Sequence, residues 1–253
     1  MKKFGRILRL CFFILGTCAL LYVVLTVFFD EDLIMRADTF YKAKVKDNVV
    51  ALTFDDGPSP VWTPKILAKL KESGVKATFF MLGKHVLQYP DIARSVVNQG
   101  HDVGIHSYDH KNYIFYTKYE VEKDIEYTQK IIKDVTGRET FLFRPPKAWL
   151  SKREKKKIKG LGFEVVLWTL NSKDWVTFDD KYMIRYIIAN IRPGDIILFH
   201  DSGGVFGTEG GNRRETVNAI ALLVEKLKLK GYRFLTVSEL LDLERKNGFK
   251  PQS

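Results

Sequence analysis

Two adjacent aspartates, Asp55 and Asp56, follow the apolar run Val49-Val50-Ala51-Leu52 and precede Gly57-Pro58, a pair that cannot continue a strand. The carboxylates therefore sit where a buried strand meets its exit loop. Like charges at neighbouring positions repel unless something cationic is shared between them. A metal ion held by one aspartate, with the other left free as a base, relieves that repulsion. Asp-Asp-Gly-Pro is also good turn chemistry, so residues 52–58 alone leave both readings open.

Downstream, His106 and His110 lie four apart after Gly104-Ile105. With one carboxylate of the aspartate pair they could form a three-ligand site that leaves positions for water and substrate, the catalytic pattern of ligation. The plain alternative is two surface loop histidines, because this spacing is not rare. Of the five histidines, His106, His110 and His200 each end a strand, whereas His85 reads as helix surface and His101 as a loop residue. His200 closes Asp195-Ile196-Ile197-Leu198-Phe199, a run so apolar that it must be buried on both sides. An imidazole at such an exit is either capped by hydrogen bonds or placed to move a proton. Asp174-Trp175, after another strand, offers a carboxylate to orient it and an indole to exclude water. Phe143-Arg144-Pro145-Pro146 presents a guanidinium rigidly, either beside a carboxylate base or in a simple surface ion pair.

The elements that must position these residues alternate. Strands are expected at 48–54, 77–82, 102–105, 140–143, 164–170, 195–199 and 233–236. Helices are expected at 63–72, 85–98, 117–135, 152–159, 179–190, 212–230 and 238–246. About seven β-then-α units with short links imply an α/β fold whose parallel sheet is covered by helices. An open doubly wound sheet also satisfies the pattern, but polar residues at the C-terminal ends of five strands favour a barrel, in which all such ends open onto one face. The glycine-rich stretch 203–211 has no phosphate-loop or dinucleotide spacing and reads as a loop beside His200.

The first thirty residues differ from the rest. Lys2, Lys3, Arg6 and Arg9 precede twenty uncharged residues, 10–29, enough to cross a bilayer, and Asp30, Glu31 and Asp32 follow. The charge bias places Met1 in the cytoplasm and the remainder outside, and the bulky residues up to the acidic stop favour an uncleaved anchor over a signal peptide. Residues 30–45 then read as a tether, 46–243 as the catalytic domain and 244–253 as a tail. Both cysteines, Cys11 and Cys18, lie in the span, so the exported part has no thiol chemistry and must hold any metal with His and carboxylates. The net charge of +11 falls to +7 without the leader. Outside a membrane such a charge suits an anionic wall or lipid surface and makes nucleic acid a poor partner.

Five segments taken together resemble the polysaccharide deacetylase family, the NodB-homology or carbohydrate esterase family 4 enzymes. They are Thr53-Phe54-Asp55-Asp56-Gly57-Pro58, His106-Ser107-x-x-His110, Arg144-Pro145-Pro146, Ser172-Lys173-Asp174-Trp175 and Leu198-Phe199-His200, in the family's order. The resemblance implies a distorted (β/α) barrel that hydrolyses N-acetyl groups of N-acetylhexosamine polymers, peptidoglycan foremost, at a divalent metal, usually zinc. On it, Asp56, His106 and His110 are the expected metal ligands, Asp55 the general base and Arg144 the residue that positions it. His200 is the expected proton donor and Asp174 its partner. Trp175 and Leu198 resemble the walls around the acetyl methyl, Ser107 the brace of the histidine loop. Lys147, with a backbone N–H nearby for the oxyanion, stands where the family usually has Tyr, which bears on affinity for the sugar. An O-acetyl esterase, a hydrolase of another C–N bond, or a non-catalytic glycan binder are the alternatives on the same frame.

Overall fold

The computed structural model describes residues 2–28, 35–113, 116–177, 179–204 and 210–248. After helix α1 (Lys2–Phe28), the chain forms β1 (Val49–Asp55), α2 (Trp62–Glu72), β2 (Thr78–Met81), α3 (Gly83–Gln88), α4 (Pro90–Asn98) and β3 (Asp102–Ile105). It continues with α5 (Lys118–Thr136), β4 (Leu142–Phe143), a 3-10 turn (Pro146–Ala148), α6 (Lys152–Gly160), β5 (Glu164–Val165) and β6 (Leu170–Asn171). Last come α7 (Asp180–Asn190), β7 (Ile196–His200), α8 (Arg214–Leu229), β8 (Arg233–Phe234) and α9 (Val237–Lys246).

The strands pair in the order β5-β4-β3-β2-β1-β7-β6, with β8 also on β1, and every pairing is parallel. The result is a parallel (β/α) half-barrel with its strand C-termini on one face. Alternation along each strand sorts side chains between two cores. Leu52, Phe54, Phe79, Met81, Ile197 and Phe199 face the helices, and Val49, Ala51, Phe80, Ile196 and Leu198 fill the interior. Continuing the inward set by two places puts Asp55 after Ala51 and Thr53, and His200 after Leu198. Asp55 and His200 are register partners across β1 and β7.

The single strand expected at 164–170 is interrupted. Its middle serves a different partner: Phe40 N–H donates to Val165 O (2.8 Å) and Leu167 N–H to Phe40 O (3.0 Å). Ala43 N–H then donates to Gly194 O at 2.9 Å. Residues 36–45 thus lie along the gap between β5 and β7, with Phe40 and Ala43 buried in the interior core. That half of the expected tether packs as part of the domain. The continuous apolar run 164–170 signalled burial, which does not require one unbroken ladder. The expected helix at 85–98 is two, because Pro90 has no N–H to continue the first, and Tyr89 leaves helical geometry at φ −129°.

The expected membrane span, 10–29, falls largely on α1, where described side chains stop at Leu21. Among the described residues no helix is long and apolar enough to cross a membrane.

Candidate active site

At the end of β1 the chain delivers Asp55 inward, then turns sharply: Asp56 has φ +78° and Gly57 lies flat against Asp201. A Cβ on Gly57 would meet the Asp201 carboxylate at 2.1 Å, so no other residue fits. The end of β3 supplies His106. Its Nδ1 donates to Arg144 O at 2.8 Å, which fixes the tautomer and turns the Nε2 lone pair toward the aspartates. His110 reaches the same point from a loop whose turn requires φ +72° at Ser107 and +61° at His110. Ser107 Oγ accepts from His110 N–H at 2.9 Å. Asp124 of α5 holds the same loop by accepting from Tyr108 N–H.

Around Asp56 Oδ1 stand His110 Nε2 at 3.4 Å and His106 Nε2 at 3.5 Å. The three ligand atoms lie within 4.8 Å of one another, and Asp56 Oδ1 is buried with no hydrogen-bond partner among the described residues. A buried carboxylate oxygen without a donor is costly. Facing two imidazole nitrogens, it fits a cation, and the His₂Asp donor set suits a divalent ion such as zinc. The electrostatics agree. Burial pushes Asp56 up, but the fields of His110, His200, His106 and Arg213 outweigh it and hold its carboxyl below the ordinary value. Burial, opposed by Asp55, pulls the His106 imidazole down, which favours the neutral form that can ligate.

Asp55 is held from the other side. Arg144 is fully buried, with Nη1 2.6 Å from Asp55 Oδ1 and 2.8 Å from Thr53 Oγ1. Its Nε and Nη2 donate to the carbonyls of Val166 and Leu167, and it lies 4.0 Å over the ring of Phe80 and 5.5 Å from that of Trp168. This is not a surface ion pair. The interruption of the expected 164–170 strand frees the Val166 and Leu167 carbonyls for the guanidinium.

Across the basin, His200 Nδ1 bonds Asp174 Oδ1 at 2.7 Å, and His200 N–H donates to Asp174 Oδ2 at 2.8 Å. Burial pulls the imidazole down, but Asp174, then Asp56, raise it above the ordinary value. Burial likewise pushes Asp174 up, and the charge and hydrogen bonds of His200 bring it down to about 2. Thr216 Oγ1, in the first turn of α8, also donates to Asp174 Oδ2.

Asp55, Asp56, His106, His110, Arg144, Asp174 and His200 therefore converge on one basin. Leu198 is buried one alternation below His200 in the interior core, Trp175 is half-buried beside Asp174, and Lys147 is exposed on the turn after β4 with φ +55°. One histidine, His85, is not where the sequence pattern puts it, and His101 is the expected loop residue but is buried. His85 is 1 % exposed and its Nδ1 bonds Asp56 O at 2.7 Å; His101 Nδ1 accepts from Ala77 N–H. A lone polar residue on a helix reads as surface until the fold brings a backbone carbonyl to it. Arg213, Thr216 and Asp124 also escaped the sequence, since each reaches the site from an element with no motif of its own, as did Asp201, which directly follows the Leu198-Phe199-His200 segment.

A half-barrel mouth that holds a clamped carboxylate, a three-ligand cation cradle and a carboxylate-paired imidazole is the equipment of a hydrolase. The model of the family described as polysaccharide deacetylase matches residues 42–166. A peptidoglycan-N-acetylglucosamine deacetylase of Bacillus cereus is 35 % identical over 197 residues, covering 77 % of this chain and 89 % of its own. The peptidoglycan-N-acetylmuramic acid deacetylase PdaA of Bacillus subtilis is 29 % identical over 215 residues, 83 % of this chain and 78 % of its own. The crystal structure of the Bc1960 peptidoglycan N-acetylglucosamine deacetylase superimposes with a TM-score of 0.76 at 32 % identity, over 83 % of this chain and 95 % of that one. The chain belongs to the polysaccharide deacetylase family, and it is a deacetylase of that hydrolase class.

Proposed function

We propose that this protein removes N-acetyl groups from cell-wall peptidoglycan, releasing acetate, with Asp56, His106 and His110 holding a zinc ion. Bound there, the ion would supply Lewis acidity, making water acidic and polarising the amide carbonyl. The chain's own groups carry the protons. Asp55, one oxygen clamped by Arg144 and the other 3.8 Å from His106 Nε2, takes the proton of the attacking water. The Lys147 N–H faces no acceptor among the described residues, whereas the N–H groups of Ala148 and Trp149 are used inside the turn. That leaves it able to donate to the oxygen that gains charge. His200, kept protonated by Asp174, gives its Nε2 proton to the amine as the C–N bond breaks. Trp175 and Leu198 line the place of the acetyl methyl, and Lys147 meets the sugar.

The observation that carries this reading is an Asp56 Oδ1 that has no hydrogen-bond partner among the described residues and lies between two imidazole nitrogens, next to a second aspartate held by a buried guanidinium. A further part of the proposal is that α1 anchors the enzyme as a single membrane pass, with the catalytic domain outside the cytoplasm. Leu10, Phe12, Phe13, Leu15, Leu20 and Leu21 stand exposed on that helix, which suits lipid better than water. Acetate release by the full chain in detergent, from peptidoglycan, chito-oligomers and acetylated xylan, with and without chelator, tests the chemistry. Chelator-sensitive release from peptidoglycan is expected. Release from xylan alone would favour the ester reading, and inertness on all three the glycan binder. Extraction of the protein from membranes by carbonate would refute the anchor.

A further inference from the structure

The first turn of α8 braces the site, yet none of the proton steps uses its arginine. Arg213, at the N-cap position of that helix, is 2 % exposed and feeds three donors into three carbonyl oxygens. Nε bonds Ser202 O at 2.9 Å, Nη1 bonds Asp174 O at 3.1 Å and Nη2 bonds Gly203 O at 2.9 Å. It forms no ion pair among the described residues. A charge so buried, hydrogen-bonded to carbonyl dipoles and only in the field of the Asp174 and Asp56 carboxylates, is costly to keep. The three carbonyls belong to two segments: one carries Asp174, the other leaves His200. Three residues further on, Thr216 Oγ1 donates to Asp174 Oδ2 at 2.8 Å, so α8 grips Asp174 at both main chain and side chain.

We infer that Arg213, assisted by Thr216, is a positioning residue that fastens the Asp174 loop to the segment after His200 and so aims the imidazole at the departing amine. The assignment rests on His200 being the proton donor proposed above. A planar guanidinium spans three acceptors in a fixed fork, whereas a lysine ammonium is a point charge on a flexible stem and cannot. The two segments are otherwise tied by Ser172 N–H on Leu198 O and by the Asp174 carboxylate on His200, and Asp174 itself sits in a loop beyond the two-residue strand β6, where no ladder holds its backbone. The charged groups that face His200 are Asp174, Asp56 and Arg213 itself. Arg213→Lys therefore changes the geometry and largely preserves the field.

In the full chain loaded with zinc, Arg213→Lys is expected to lower kcat by about tenfold or more, with KM within about threefold, as for a misaimed catalytic group. In a His200→Ala background the same substitution is expected to cost no further rate. By NMR on the metal-free full chain in detergent, the His200 imidazole is expected to titrate at lower pH in Arg213→Lys, as its bond to Asp174 loosens. This readout needs no turnover, so it separates failure of the positioning role from failure of the deacetylase reading. An unmoved imidazole with unchanged kcat and only a lower Tm would overturn the inference, as would an equal loss of rate with and without His200. Should Arg213→Lys fail to fold, Thr216→Val deletes a single hydroxyl. It must then lower kcat in the native background and not in His200→Ala, and additive losses would be equally fatal.

Discussion

Arg144→Met tests whether the buried guanidinium is what allows Asp55 to exist where it does. Methionine approximates the arginine stem in length and can lie between Phe80 and Trp168, so little packing volume is lost. What disappears is the cation 2.6 Å from a carboxylate whose side chain is only 4 % exposed. Removing one partner of a buried pair costs roughly 3–5 kcal/mol, because the other is left as an uncompensated charge. A domain of this size loses about 2–4 °C of Tm per kcal/mol, which puts the drop at roughly 6–20 °C. Activity is expected to fall further than stability suggests, by about 10²-fold or more in kcat/KM, because an unaimed base forfeits its share of the barrier. The decisive variant is the double one. Arg144→Met with Asp55→Asn removes both charges, so most of the lost Tm should return while acetate release stays abolished. Differential scanning calorimetry on the full chain in detergent reads the first quantity, and acetate production from peptidoglycan the second. A double variant no more stable than Arg144→Met, or a single variant within about 1 kcal/mol of the native chain, would show that the pair does not carry the burial of Asp55.

The metal roles separate by substitution: Asp55→Asn is expected to abolish turnover and still bind zinc in a chelator competition, and His106→Ala to lose both. Unchanged activity in either variant would refute the assignments. Deacetylation is expected to decline as pH rises through the raised titration point of His200, whose protonated form gives up the proton. Asp174→Asn, which removes the largest group raising that point, should move this alkaline limb to lower pH in a kcat-versus-pH profile; an unmoved limb would exclude His200 as the acid. His101 is brought from 6.5 down to about 4 by burial and the neighbouring Lys76, so it folds neutral. The unfolded chain takes up its proton first as pH falls, so this contribution to stability is complete above about 6.5 and drains away toward 4. His101→Phe should flatten urea-denaturation stability across that interval, and a slope equal to that of the native chain would contradict it.

Much of the chemistry was legible without coordinates, for a local reason. Strand ends, turn residues and apolar alternation are written in short stretches, so Asp55, Asp56, His106, His110, Arg144, Asp174 and His200 could each be placed at the exit of a strand or in the loop beyond it. A parallel sheet then has only one face on which those exits can meet. The pairing of side chains far apart in sequence is another matter, because it depends on which strands become neighbours and in what register. Asp55 faces His200 because β1 pairs with β7 without a slip, and nothing in either segment states that. The guanidinium of Arg144 is buried because residues 36–45 enter the gap between β5 and β7, part Val166 and Leu167 from a regular ladder, and leave their carbonyls to it. Arg213 and His85 carry no pattern in sequence, and only the approach of distant carbonyls gives them a place at the site. The sequence determined which motif residues reach the mouth of the half-barrel; the tertiary fold decided which of them touch and which other groups join them, since contact follows from register and burial across segments that no local spacing connects.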